Sequence, residues 1–140
     1  MDRAQELIRD AKTIAIVGAD SRESRPVYGV TKYLMESGYK VYLVNPRSGE
    51  TEILGLPTYE HVSDLPESVD IVDIFRRPSD VRPFVEDAIA AGAKTVWLQL
   101  EIVNEEAAAK ARAAGLEVVM DKCTAIERRA MLRAQAAGER

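Results

Sequence analysis

Cysteine occurs once in the 140 residues, at Cys123, so no disulfide can close within the chain. That suits a reducing cytosol, and a cytoplasmic location is expected. Histidine also occurs once, at His61, far from Cys123 in sequence. The pair matches no common ligand spacing, so no metal site is expected. Aromatic residues make up only 6%, which leaves little stacking surface for single-stranded nucleic acid. The net charge of −4 argues the same way against a general nucleic-acid binder. No run approaches the roughly 18 apolar residues of a membrane span. The first six residues are charged and helical in pattern, with no apolar stretch of signal-peptide length. No internal repeat or low-complexity linker interrupts the chain. The expectation is one domain over 1–140, with its Ala-rich, charged end over 133–140 fraying.

What is present is a globular balance, 46% hydrophobic and 30% charged, enough apolar surface to bury a core. Five short runs rich in Val and Ile stand out, at 13–18, 40–45, 69–75, 95–100 and 117–121. Each is too short for an ordinary helix, and nearly continuous apolar runs predict strands covered on both faces of a parallel sheet. Amphipathic stretches lie between them. Residues 27–37 end at Gly38, 80–91 at Gly92 and 105–114 at Gly115, each glycine a helix stop. A last helix is expected over 125–137. Strand and helix therefore alternate, and the fold class is α/β. The predicted architecture is a Rossmann-like doubly wound parallel sheet of about five strands, with helices on both faces. The general rule for such sheets gives the order 3-2-1-4-5, with reversal between the first and fourth strands. Segment 48–68 is less regular, and 53–57 reads as a short extended piece.

Ligands of open parallel sheets sit beyond the carboxyl ends of the strands, where the order reverses. After the first strand comes Gly18, which permits a tight turn. Ser21 and Ser24 follow as hydroxyl donors, then Pro26, suited to the first turn of a helix whose free amides bind anions. After the second strand come Asn45, Pro46 and Arg47. Phe75, Arg76, Arg77 and Pro78 follow the third, and Gln99, Leu100 and Glu101 the fourth. Arg22, Arg25, Arg47, Arg76 and Arg77 thus all fall in the first three strand-end loops of an acidic chain. Guanidinium groups gathered there suit a polyanion.

The dinucleotide fingerprint needs G-x-G-x-x-G at the first turn and an acid after the second strand. Here the turn reads G-A-D-S-R-E, and the second strand ends in Asn45. Arg47 would favour a ribose phosphate, which NADP carries at the 2′ position and coenzyme A at the 3′ position. The residues alone allow either, and the missing glycines count against NADP.

The run VGADSRESRPVYGVTKYLMESGYKVYLVNPR (17–47), with VDIVDIFRRP (69–78), WLQ (97–99) and VVMDKC (118–123), resembles the small CoA-binding proteins. That family is related to the CoA-binding domain of the succinyl-CoA synthetase α subunit. The resemblance runs from about residue 12 to about residue 132. It implies that coenzyme A is the cofactor. Gly18, Ala19, Ser21, Arg25 and Pro26 would hold the pyrophosphate. Asn45, Pro46 and Arg47 would flank the adenosine, with Arg47 near the 3′-phosphate. Phe75, Arg76 and Pro78 would cover the adenine or phosphates, and Gln99 would approach the pantetheine arm. Three positions depart from the family pattern. Asp20 stands where a small or neutral residue is common, Glu101 where WLQxG often has glycine, and Arg128 where a His is common. The first two add negative charge beside an anion site. Such departures read as those of a divergent or engineered member.

The leading expectation is a carrier or sensor module that binds CoA or acyl-CoA without catalysis. A protein partner or homodimer is left open. An acyl or ester hydrolase would use Cys123, Asp20 or Glu101, although no G-x-S-x-G motif is present. An NAD(P)-binding regulator, or a scaffold whose pocket the two acids have destroyed, are the remaining readings. Cys123 reads more simply as a small buried side chain, and His61 as a surface residue. Trp97 is expected under a helix and Tyr33 in the core, while Tyr28 is placed to touch a ligand. Asp70 and Asp73, three apart in one strand, fall on opposite faces and do not read as a catalytic pair.

Overall fold

The five Val/Ile-rich runs form five strands of one sheet, joined by two more. The computed structural model describes residues 1–138. In chain order the elements are α1 (Arg3–Asp10), β1 (Thr13–Val17), α2 (Pro26–Glu36), β2 (Lys40–Val44), β3 (Glu52–Ile53) and β4 (Leu56–Tyr59). They continue as β5 (Ile71–Ile74), α3 (Arg82–Ala90), β6 (Thr95–Leu98), α4 (Glu105–Ala113), β7 (Glu117–Val119) and α5 (Thr124–Ala136). Helix α5 continues to Ala136, into the segment expected to fray, while residues 139 and 140 of that segment lie outside the described residues.

Every residue of β1, β5 and β6 is buried. Alternation divides them between two cores. Ala15, Val17, Val72 and Ile74 pack with Val85 and Ala111 on one face, so α3 and α4 cover that side. Ile14, Ile16, Ile71 and Trp97 pack with Ile8, Leu34 and Met131 on the other, under α1, α2 and α5. Trp97 is fully buried, and its indole Nε1 donates to the Lys122 carbonyl at 2.8 Å. Burial on both faces explains why the strands read as apolar runs rather than alternating ones.

The sheet has seven strands, not five, in the order β3-β4-β2-β1-β5-β6-β7. All neighbours are parallel except β3 and β4. The third strand of the expected order is therefore β4, from the irregular segment, and not the run at 69–75. β4 is an edge strand of mixed exposure that contains Pro57, so it lacks the apolar signature of a central strand. The correction moves the reversal. It lies between β1 and β5, so Gly18 and Phe75 follow adjacent strands.

Asp70 serves the sheet's amino end. It precedes β5, and its Oδ2 accepts from the backbone N–H of Lys12 (2.7 Å) and of Thr13 (3.1 Å), holding the start of β1. Lys94 Nζ lies 3.2 Å from its Oδ1.

Candidate functional site

Gly18 is required where β1 ends. Its φ is 93°, and a Cβ there would lie 2.6 Å from the Phe75 carbonyl oxygen, closer than a side chain tolerates. Its N–H donates to the Val44 carbonyl at 2.8 Å, so the first turn is tied to β2 while it presses on β5. The chain then runs past buried Ala19 to Asp20 and Arg22, which form a two-pronged ion pair with contacts down to 2.5 Å. Asp20 also accepts from the Arg22 backbone N–H. The Arg22 guanidinium holds the Asp20 carboxyl well below its ordinary range, at about 2. The negative charge expected to oppose an anion here is thus neutralised by its own neighbour. Helix α2 begins at Pro26 with Arg25 as N-cap, no side-chain cap and no acid in its first turn. Pro26 has no N–H and the Tyr28 N–H donates to the Arg25 carbonyl at 3.0 Å, so the Val27 N–H and the helix dipole are what the first turn offers to the cavity lined by Arg25, Pro26 and Val27.

Asn45 braces this loop. Its Nδ2 donates to the Ala19 carbonyl (2.7 Å) and its Oδ1 accepts from the Arg47 N–H (2.9 Å). Both ends of the amide are engaged by the fold, so Asn45 shapes the site more than it offers a free polar group. Beyond it Arg47 meets the loop after β5. Asp80 Oδ2 lies 4.0 Å from Arg47 Nη1, 3.9 Å from Arg76 Nη2 and 3.2 Å from Arg77 Nε. One carboxylate thus gathers three guanidiniums from two loops that flank the end of β1. Arg76 is mostly buried, lies over the Phe84 ring at 5.9 Å, and has a buried Nε with no partner. Burial first, then the nearby Arg47, lower its pKa from the ordinary arginine value. An unpaired donor beside crowded positive charge calls for an acceptor, such as a ligand oxygen.

The β6 and β7 end has different chemistry. Gln99 is buried, and its Nε2 donates to Asp73 Oδ1 (2.7 Å) and to Thr124 Oγ1 (3.1 Å). Thr124 Oγ1 donates to Asp73 Oδ2 at 2.8 Å. Asp73 is fully buried, and burial pushes its carboxyl up to about 7 against the lowering effect of those two hydrogen bonds. Cys123, buried, is the N-cap of α5. Glu101 has a φ of 67°, in the left-handed region, and its N–H donates to Asp121 Oδ1 at 2.7 Å. A glycine, as the resemblance leads one to expect here, would hold this φ without strain.

These loops enclose a cavity of about 1360 Å³. Gly18, Ser21, Arg25, Pro26, Asn45 and Arg47 line it from the β1 and β2 ends, and Phe75, Arg76, Pro78 and Gln99 from β5 and β6. Asp20, Glu101 and Cys123 reach it too. Ala19, buried beneath, and Pro46, exposed, do not line it, and neither do Tyr28 and His61. Arg128 is not among its walls. It donates to Tyr33 Oη at 3.0 Å and lies over the Tyr33 and Tyr39 rings. Tyr33 is half-buried at the margin of the core, packed against it on one side and under Arg128 and Arg129 on the other. Sequence reading missed Asp80, which resembles an ordinary helix-start acid, and the network of Asp73 and Thr124 behind Gln99. The available signal for the latter was a carboxylate inside an apolar run.

The CoA binding domain family model matches residues 12–129. YneT of Bacillus subtilis (strain 168) is 32% identical over 119 residues, 85% of this chain and 87% of that protein. The α subunit of acetate–CoA ligase (ADP-forming) I of Pyrococcus furiosus is 33% identical over 95 residues, 65% of this chain but only 21% of the subunit. A hypothetical protein from Pyrococcus horikoshii OT3 superposes with a TM-score of 0.88 at 41% identity, covering 92% of this chain and 89% of that one.

Proposed function

Because the chain belongs to the CoA binding domain family, we propose that its cavity holds coenzyme A or acyl-CoA, as a carrier or sensing module. The observation that carries this is the polarity of the sheet edge. Arg47 follows β2, Arg25 and the start of α2 follow β1, and Arg76 and Arg77 follow β5, whereas β6 and the turn after β7 contribute Gln99 and Cys123. Coenzyme A has the same polarity, with three phosphates at one end and a neutral arm ending in sulfur at the other. In this reading the 3′-phosphate displaces Asp80 from Arg47, the pyrophosphate meets the Val27 N–H and the dipole at the start of α2, and the unpaired Arg76 Nε gains an acceptor. The pantetheine arm then crosses β5 toward Gln99 and Cys123. Hydrogen bonds between guanidinium groups and phosphate are charge-assisted, each worth about 1.5–3 kcal/mol.

Calorimetric titration tests the reading on the wild type and Arg47→Ala, with CoA and with 3′-dephospho-CoA. Wild type should bind CoA at least about tenfold more tightly than the dephospho form. Arg47→Ala should lose that difference and bind both alike. Equal binding of the two ligands by wild type would remove Arg47 from the 3′-phosphate. NADPH binding in place of CoA would turn the site into one for a 2′-phosphate. The presence of Cys123 at the sulfur end favours one second reading, an acyl hydrolase. It requires turnover of acetyl-CoA that Cys123→Ser abolishes.

A further inference from the structure

We propose that Asp73, acting through Gln99 and Thr124, sets which form of the ligand's sulfur the cavity accepts, favouring the free thiol of CoA over a thioester. The inference rests on the orientation of CoA proposed above. Its basis is a closed hydrogen-bond network. Both hydrogens of the Gln99 amide are engaged, one by Asp73 Oδ1 and one by Thr124 Oγ1. The Thr124 hydroxyl spends its own hydrogen on Asp73 Oδ2. Gln99 lines the cavity, and with both Nε2 hydrogens engaged its carbonyl Oε1 is the side-chain polar atom left to meet a ligand. An oxygen of this kind accepts hydrogen bonds only. It suits a thiol or an amide N–H of the pantetheine arm. A thioester carbonyl placed against it would find no donor and would face another acceptor.

The ionised carboxylate is what fixes the amide. A carboxylate offers only acceptors, so it takes Nε2 and rejects Oε1. Once protonated, the same group can donate to Oε1. The amide then has no reason to keep one orientation, and Nε2 becomes available to the cavity. Asp73 sits where that exchange falls near neutral pH, because burial has raised it to about 7. Its partners in register on β1 and β6 are Ile16 and Trp97, which carry no charge. From α5 come Thr124 and, beside it in sequence, the Cys123 thiol, with Glu127 one turn on. Only burial, Gln99 and Thr124 act appreciably on the carboxyl.

Asp73 and Thr124 are positioning residues here, so the test reads a preference rather than an affinity. The ratio of the dissociation constants of acetyl-CoA and CoA is measured by calorimetry between pH 5.5 and 8.5 under reducing conditions. The wild type, Asp73→Asn, Thr124→Val and Thr124→Ser are compared. Titration of the ligand's 3′-phosphate cancels in the ratio because both ligands carry it. Wild type should prefer CoA by about tenfold at pH 8, the effect of one mismatched hydrogen-bond partner, and approach parity at pH 5.5. Asp73→Asn and Thr124→Val should stay near parity throughout, and Thr124→Ser should restore the wild-type course. If a variant fails to fold, the pH course of the wild type still decides. Equal affinities at pH 8, or a preference that does not change with pH, overturn the inference while leaving CoA binding intact. Failure of the wild type to bind either ligand overturns the reading of the site itself.

Discussion

Glu101 and Gly18 both hold positive φ at strand ends, and only one of them is a glycine. At Glu101 an L side chain meets its own carbonyl, a strain of about 1–2 kcal/mol that glycine lacks, less the entropy that glycine loses on folding. Glu101→Gly should therefore raise stability by about 0.5–1 kcal/mol, read from the midpoint of urea unfolding. A lower midpoint would mean that the hydrogen bond from Glu101 N–H to Asp121 depends on the side chain. Gly18→Ala runs the other way. The new methyl would meet the Phe75 carbonyl and the φ would be strained, so the loss should be on the order of 2–4 kcal/mol. Ligand affinity should fall with it, because the same turn presents the start of α2. Glycine at the first turn was legible in the sequence, since tight turns after a strand demand it. The strain at Glu101 was legible only through resemblance, because no local pattern announces a left-handed glutamate.

At the level of the element, β5 is the informative strand. It lies beside β1 at the reversal, is followed by Phe75, and buries Asp73 among apolar neighbours. Unfolding frees Asp73 to an ordinary carboxyl near 3.9, whereas folded it sits at about 7. Between those values the native state holds a proton that the unfolded chain has released. Stability should therefore fall as pH rises from about 4 to about 7, by roughly a few kcal/mol, and level off above. Asp73→Asn should flatten this slope in urea melts at pH 5.5 and 8; an unchanged slope would place its origin elsewhere. Asp20 acts oppositely, since its lowered carboxyl contributes stability that is lost only as pH falls below about 4 toward 2. The run containing Asp73 was legible as a strand because Val and Ile surround it. Its place in the sheet was not, because β4 lacks an apolar signature and was read as irregular chain. Periodicity finds strands buried on both faces and passes over a short edge strand with a proline.

For the whole molecule, the loops after β2, β1, β5 and β6 converge because parallel strands put all their carboxyl ends on one edge. That convergence was legible in outline, and arginines in three loops marked the anionic end. What the chain order could not convey was how the charges pair. Asp20 answers Arg22, and Asp80 draws Arg47, Arg76 and Arg77 together. Among the described residues no helix is long and apolar enough to cross a membrane. Among the described residues the exposed large apolar side chains include Leu100, which follows β6 and lines the cavity, and Ile126, in the first turn of α5. The most direct test of the whole account is a crystal structure of the protein grown with CoA. The account predicts the 3′-phosphate against Arg47, the pyrophosphate at the start of α2 and the sulfur beside Gln99. CoA lying in the reverse direction along the sheet edge, or bound away from this edge, would contradict it.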